Sequence, residues 1–310
     1  MPQRVLVVGS INMDLIVRCP RVPREGETLH GSGFTTAGGG KGANQAVAAS
    51  RLGARTTLIA RLGEDEFGGT LRSHLERAGV STEAIATDAD AASGVALILL
   101  EETGHNRIIV VAGANARVGT PEVARARALL ASSDVLLLQL EIPIPVVAEV
   151  AAAARERGVL TVLDAGPATP EAVEAGLPGL VDVISPNESE AEALTGLSVS
   201  GPADAEAAAG RLHELGARHV VLKLGSQGAF YSGPDGSRHV PGFPVQPIDT
   251  TAAGDAFTAS LAIDLSAGMD FPEAVRRANA VGALACLKLG AQPSMPSKEE
   301  LQAFLQANSG

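Results

Sequence analysis

Cysteine is scarce in this chain of 310 residues: Cys19 and Cys286 are the only two, and no C-x-x-C or metal-ligand spacing involves them. A disulfide framework and a thiolate metal centre are thereby excluded, and reduced thiols in a cytoplasmic protein are the expectation, with a single Cys19–Cys286 bridge as the alternative. Histidine is equally thin, six residues with no pair at ligand spacing, which leaves no basis for a histidine metal site. Positive charge is in deficit, 24 Lys and Arg against 35 Asp and Glu, for a net charge of −11. That balance provides no basic surface for nucleic acid or an anionic membrane. A small phosphate pocket is still compatible with it, because such a pocket needs only local N–H groups, a metal and one or two cations. No apolar run approaches the roughly 20 residues of a membrane span. The N-terminus enters Arg4-Val5-Leu6-Val7-Val8-Gly9 without the successive regions of a signal peptide. Internal repeats, low-complexity tracts and a linker long enough to divide the chain are also missing.

What is present is a rhythm. Short β-branched runs at 5–8, 57–60, 135–138, 159–163, 181–184 and 220–224 alternate with alanine-rich helical stretches. The pattern predicts an α/β protein, a three-layer α/β/α sandwich whose mostly parallel central sheet is covered on both faces. Helices at 43–52, 67–78 and 146–157 stop at Gly53, Gly79 and Gly158, each where a left-handed residue is expected. Two segments break the rhythm: strands at 14–18 and 27–35, and a hairpin of 94–100 with 108–111. These four strands predict a small β-sheet lid, inserted at about 14–36 and 94–111 in a single domain spanning 1–310. Ligands of open α/β proteins bind outside the carboxyl ends of the strands, where such a lid excludes water.

The chemistry concentrates in a few motifs. Asp249-Thr250-Thr251-Ala252-Ala253-Gly254-Asp255 precedes an apolar helix at 256–263, so Ala253, Gly254 and Asp255 fall at its N-terminus. Free N–H groups and the helix dipole favour a phosphate there, and Asp255 reads either as a general base beside it or as a helix cap. Asn12 and Asp14 lie on one side of an extended segment, suited to sugar hydroxyls or to a turn. Ala37-Gly38-Gly39-Gly40-Lys41-Gly42-Ala43-Asn44-Gln45 is no P-loop, since no Ser or Thr follows Lys41 and Thr35 replaces the first P-loop glycine. It is a backbone able to approach a ligand closely, with Lys41 and Asn44 as hydrogen-bonding groups, or else a purely structural glycine turn. In Ser185-Pro186-Asn187-Glu188-Ser189-Glu190 the Asn187 and Glu190 side chains share a helix face, as a hydrated Mg2+ site or as a capping box. Lys223-Leu224-Gly225-Ser226-Gln227-Gly228 joins two strands and can turn N–H groups toward nucleotide phosphates. Glu141 is one more polar group at a carboxyl strand end. No G-x-G-x-x-G follows the first strand, where Gly9-Ser10-Ile11 stands, so a dinucleotide-dependent dehydrogenase is disfavoured.

These motifs, in this order and over nearly the whole chain, resemble the ribokinase-like carbohydrate kinase family. The family's glycine-rich signature is similar to Gly38 through Gln45, and its Asp-Thr-x-x-x-Gly-Asp signature to Asp249 through Asp255. The resemblance implies ATP-dependent phosphorylation of D-ribose at the 5-hydroxyl. The alternatives are another sugar (deoxyribose, fructose) or a nucleoside, and a catalytically inactive sugar-binding regulator. It also implies roles. Asp255 is the catalytic base; Asn12, Asp14, Gly40, Lys41, Asn44 and Glu141 bind the sugar; Ala253 and Gly254 form an anion hole. ATP further meets Asn187, Lys223, Gly225, Ser226, Gly228 and Asn279. Glu190 serves Mg2+ through water, and Asp249, Thr251, Ala285, Lys288, Gly290 and Ser294 hold K+ or a similar monovalent activator. A homodimer formed through the lid sheet is implied as well. Three positions depart from the family's pattern: Lys223 stands where threonine is frequent, Asn279 where some members carry histidine near adenine, and Asp164 where asparagine is frequent.

Overall fold

In β1 (Arg4–Val8) every residue after Arg4 is buried, and they divide by face: Val5 and Val7 join one apolar core, Leu6 and Val8 the other. A strand buried on both sides reads as a continuous apolar run, and two cores on either side of it make three layers. This is the arrangement of a computed structural model that describes residues 1–103 and 105–308.

Next come β2 (Asn12–Cys19), β3 (Gly33–Gly39), α1 (Lys41–Arg51), β4 (Arg55–Gly63), α2 (Glu66–Arg77) and β5 (Ile85–Asp88). They are followed by β6 (Gly94–Glu101), β7 (Asn106–Val111), α3 (Thr120–Leu130), β8 (Val135–Leu138), α4 (Ile144–Arg157) and β9 (Leu160–Asp164). After α5 (Pro170–Glu174), α6 (Leu177–Leu180) and β10 (Val183–Ser185) come α7 (Glu188–Thr195), α8 (Pro202–Glu214), β11 (His219–Lys223), β12 (Ala229–Gly233) and β13 (Gly236–Val240). The chain closes with α9 (Ala253–Ser266), α10 (Phe271–Ala285), α11 (Ala291–Ser294) and α12 (Lys298–Ala307).

Among the described residues the central sheet has nine strands in the order β13-β12-β11-β10-β9-β8-β1-β4-β5. Only the β11–β12 and β12–β13 pairs are antiparallel, so the expected mostly parallel three-layer sandwich is what forms. Helices α1, α2, α9, α10 and α12 cover the Val5/Val7 face; α3, α4, α7 and α8 cover the other. Gly53, Gly79 and Gly158 take left-handed φ values of 93°, 81° and 65° just past α1, α2 and α4, as the helix-stop reading requires. From β1 the chain turns to β4 and β5 on one side and later to β8 on the other, so the strand order reverses at β1. Ligands of doubly wound sheets bind at such a reversal. There α1 presses onto β1 with no side chain between, because a methyl group on Gly42 would lie 2.6 Å from Ser10 N.

A separate sheet, β3-β2-β6-β7, stands at this end. The hairpin of β6 and β7 pairs as expected, but β3 starts at Gly33 instead of near residue 27 and includes Gly38 and Gly39. The cause is partner length. Gly33 pairs with Arg18 next to the end of β2, so beyond the Ser32 N–H bond to Arg18 O residues 27–32 have no strand to pair with, while the glycines find one in Asn12 and Met13. The glycine segment is therefore a strand end that runs straight into α1 at Lys41.

Candidate active site

The first turn of α9 is Ala253-Gly254-Asp255, and the residue before it, Ala252, is the only non-glycine residue among those described with a left-handed φ, 59°. A non-glycine residue held there costs roughly 1–3 kcal/mol and persists only where the surroundings demand it. Of the two residues expected to form the anion hole, Ala253 gives its N–H to Thr250 O at 3.3 Å; the N–H groups of Gly254 and of Asp255 have no acceptor among the described residues, at the positive end of the helix. Asp255 does not cap: Ala252 is the N-cap residue, and no side chain caps the helix. The Asp255 carboxylate instead faces inward, accepting from Asn44 Nδ2 at 2.9 Å and Gln45 Nε2 at 3.2 Å, with Lys41 Nζ 3.9 Å away. Burial pushes its pKa up to about 6, with nearby Asp164 adding to the rise and Lys41 and the two amides opposing it. A carboxylate poised there accepts a proton near neutral pH.

On one side of Asp255 lie the residues expected to meet the sugar. Gly40, with φ 87°, brings β3 against Ile11 and Asn12, and α1 then delivers Lys41 and Asn44. Lys41 N and Ser10 Oγ both donate to Glu141 Oε2, the former at 2.9 Å. Asp14 is buried, and burial together with the charges of Glu141 and Asp255 pushes its carboxyl up to about 7. Asn12 Oδ1 accepts from Asn115 Nδ2 at 2.8 Å, and Asn115 also clamps the Ile11 backbone through its N–H and C=O. Asn44 Oδ1 is buried without a partner among the described residues, an acceptor that a hydroxyl would satisfy.

On the other side is a cavity of about 680 Å³. Asn187, Lys223, Gly225, Ser226, Gly228, Ala253, Gly254 and Asn279, all expected to touch ATP, line it together with Asp255 and Lys41. Its lining also includes the apolar residues Phe243, Pro244, Val245, Pro247 and Ala283, of the kind a purine ring requires. Asn187 and Glu190 form the capping box: Asn187 Oδ1 accepts from Glu190 N at 2.8 Å and Glu190 Oε2 from Asn187 N at 2.9 Å. The capping reading does not remove the other one, because Glu190 Oε1 remains, 3.8 Å from Lys41 Nζ. Asn279 donates Nδ2 to Val240 O at 3.1 Å and Pro241 O at 3.2 Å, which leaves only Oδ1 for a ligand. Lys223 Nζ is bonded to Asp164 Oδ2 at 2.8 Å, which leaves further donors of the ammonium for a ligand.

Of the six positions expected to hold a monovalent cation, Asp249, Thr251 and Gly290 are joined directly, where the loop before α9 meets the segment between α10 and α11. Asp249 Oδ1 accepts from Thr251 N at 2.9 Å and Oγ1 at 2.6 Å, and Oδ2 accepts from Gly290 N at 2.8 Å. Against burial, these bonds hold the Asp249 carboxyl below its ordinary value. Lys288 Nζ turns away to Glu300 at 2.5 Å, so that residue offers the loop only its carbonyl. Ala285 ends α10, and the buried Ser294 donates Oγ to Ala291 O at 2.7 Å.

Some members of the site carry little sequence signal. Gln139 Nε2 donates to Gln45 Oε1 at 2.6 Å, which fixes the amide that holds Asp255, and Asn115 organises Asn12. Gln139 follows an apolar strand as Glu141 does, the same sign that marks Glu141; Asn115 sits in a short connecting helix and has no such mark.

The model of the pfkB family of carbohydrate kinases matches residues 2–298. A ribokinase of Haemophilus influenzae is 40% identical over 306 residues, 99% of each chain. One of Mus musculus is 37% identical over 301 residues, 96% of this chain and 93% of its own. The solved structure of Arabidopsis thaliana ribokinase complexed with ribose and ATP is similar with a TM-score of 0.88 and 33% identity, over 99% of both chains. Likeness on this scale, in sequence and in fold together, leaves one placement: the chain belongs to the pfkB family of carbohydrate kinases.

Proposed function

We propose that this protein phosphorylates D-ribose at the 5-hydroxyl with ATP, giving D-ribose 5-phosphate and ADP. The observation that carries the reading is the position of Asp255, on the wall between the hydroxyl-binding nest of Asn12, Asp14, Asn44 and Glu141 and the cavity at the start of α9. In that place it takes the proton of the 5-hydroxyl as the oxygen attacks the γ-phosphorus and ADP leaves. Negative charge on the transferred group meets the Gly254 and Asp255 N–H groups and the Lys41 ammonium, fixed before the reaction begins. Asp14 near pH 7 gains from hydroxyl donors, which stabilise its ionised form. Mg2+ bound with ATP would neutralise phosphate charge, and Glu190 Oε1, the oxygen left over from the capping box, fits a contact through water.

Asp249, Thr251, Ala285, Lys288, Gly290 and Ser294 would hold K+, and their donor set suits a weakly held monovalent ion: one carboxylate, two hydroxyls and backbone carbonyls. The ion would act through the loop, because Thr250 O accepts from Ala253 N at 3.3 Å and so links it to the anion-binding turn. A coupled ADP-release assay against pentoses, hexoses and nucleosides tests the reading, and no ADP release with D-ribose removes it. In the same assay K+ raises the rate above that in Na+ or with no added salt. Equal rates in K+, Na+ and no added salt refute the cation role.

The lid supports a homodimer. β7 is an edge strand exposed throughout, with Ile108, Ile109, Val110 and Val111 each more than half accessible, and Phe34 on β3 is 63% accessible. An apolar edge of this kind invites pairing with a second copy. Sedimentation equilibrium at twice the 31.4 kDa chain mass is the expected result, and a monomer at micromolar concentration contradicts it. Cys19 and Cys286 are both free thiols, and among the described residues no helix is long and apolar enough to cross a membrane. The need for ATP and the two unpaired thiols favour the cytoplasm as the place of work.

A further inference from the structure

Asp164 ends β9 with no exposed surface and is in register with Ser185 of β10. Its Oδ1 accepts from Lys41 Nζ at 3.0 Å; its Oδ2 accepts from Lys223 Nζ at 2.8 Å and Thr258 Oγ1 at 3.0 Å. One buried carboxylate thus serves two ammonium groups, one from α1 and one from β11. Burial alone would raise the Asp164 pKa, but Lys223 and Lys41 together hold it well below the usual carboxylate range.

The position of Lys223 needs an explanation. A methyl group on Gly254 would lie 3.7 Å from Lys223 Nζ, so the ammonium stands beside the free N–H groups that open α9. A cation at the positive end of a helix is disfavoured, and a buried one needs a counterion. Asp164 is that counterion. Phosphate oxygens entering the cavity reverse the balance, because the helix end and the ammonium then act on the same negative charge. Lys41 is bound into the same arrangement, with Asp164 at 3.0 Å, Glu190 at 3.8 Å and Asp255 at 3.9 Å from its Nζ.

We propose that Asp164 is a positioning residue for phosphoryl transfer: it keeps Lys223 beside the anion-binding start of α9 and, by sharing its charge between two lysines, sets how closely Lys41 approaches Asp255. The inference rests on the kinase reading of the site and adds to it a paired device, so that Asp164 and Lys223, two of the three departures from the family's pattern, are one feature. Asp164→Asn strips Lys223 of its counterion and weakens ATP binding. Lys223→Thr leaves Asp164 to Lys41 alone, which draws Lys41 from Asp255 and lowers kcat. The double substitution removes one charge of each sign and releases Lys41 to Glu190 and Asp255.

Steady-state kinetics with D-ribose and ATP on the wild type, both single variants and the double variant test this, with thermal melting alongside. Each single variant should lose about tenfold or more, Asp164→Asn in KM for ATP and Lys223→Thr in kcat, while KM for ribose changes little. The double variant should be at least about tenfold more active than the product of the two losses requires, as contacting charges demand. Losses that simply multiply, or single variants equal to wild type, overturn the proposal. If Asp164→Asn does not fold while the double variant folds and turns over, the coupling stands; if neither folds, Asp164 is structural and the proposal fails. ATP affinity measured by calorimetry on the four proteins reads the Asp164→Asn loss, and its recovery in the double variant, without turnover. A wild type inactive on D-ribose therefore counts against the kinase reading, and the coupling is still decided.

Discussion

Asp255→Asn should lower kcat by about 10²- to 10⁴-fold, the usual contribution of a positioned general base. The amide fits the space and can still accept from Asn44 or Gln45, but it cannot take a proton. Ribose binding should survive, because Asn12, Asp14, Asn44 and Glu141 are untouched. Isothermal titration with ribose and single-turnover kinetics with ATP separate the two effects. The pH profile supplies the sign. Below its value of about 6, Asp255 already carries a proton, so kcat/KM in the wild type falls on the acid side, and Asp14, at about 7, adds its own limb. The limb near 6 should disappear in the variant. A variant close to wild type in kcat, or a wild-type profile that is level through pH 6, contradicts the assignment.

Lys41→Met should produce the second large effect and move that limb. Lys41 is the cation among Asp164, Glu190 and Asp255, and these carboxylates hold its pKa well above the ordinary lysine value despite burial. Without it the transferred phosphoryl group loses one fixed positive partner, and kcat should fall about 10²- to 10³-fold, as for other preorganised donors. Because Lys41 lowers the pKa of Asp255, its removal raises that pKa, and the acid limb should shift to higher pH. Stability follows from the same charge. A lysine with a raised folded pKa contributes stability that is fully present below its unfolded pKa and lost only as pH rises through the folded one, so at pH 7 the variant lacks the whole contribution. The cost should be about 2–3 kcal/mol, below the 3–5 of a fully buried pair, since 24% of the Lys41 side chain is exposed. Urea unfolding checks the cost; an acid limb that stays in place or moves down contradicts the electrostatic account.

The two variants also separate base from cation. Asp255→Asn removes the proton acceptor and leaves the Lys41 contacts with Asp164 and Glu190 in place, so its defect lies in chemistry alone. Lys41→Met leaves three carboxylates facing one another across the cavity wall, so ATP binding should weaken as well as turnover.

Much of this was legible in the chain itself. Apolar runs at fixed spacing specify strands buried on both faces, and glycines past the helices specify their stops, because both depend on short-range periodicity and on φ values that only glycine adopts easily. The open start of α9 was readable for the same reason: small residues before an apolar helix leave backbone N–H groups free. Other features were settled by partners distant in sequence. Residues 27–32 look like a strand but have none to pair with, since β2 is too short to reach them. Asp255 could not be told from a cap until Asn44 and Gln45, more than 200 positions away, turned its carboxylate inward. Asp164 was a departure without meaning until folding set Lys41 and Lys223 on either side of it, 123 and 59 positions away. The sequence by itself determined the layers, the open turn before α9 and the types of residue available for chemistry, because those follow from local periodicity and backbone geometry. Only the tertiary structure decided which charges share a buried space, because Coulomb interactions and desolvation depend on distance and dielectric, and neither is encoded in any stretch of the chain taken alone.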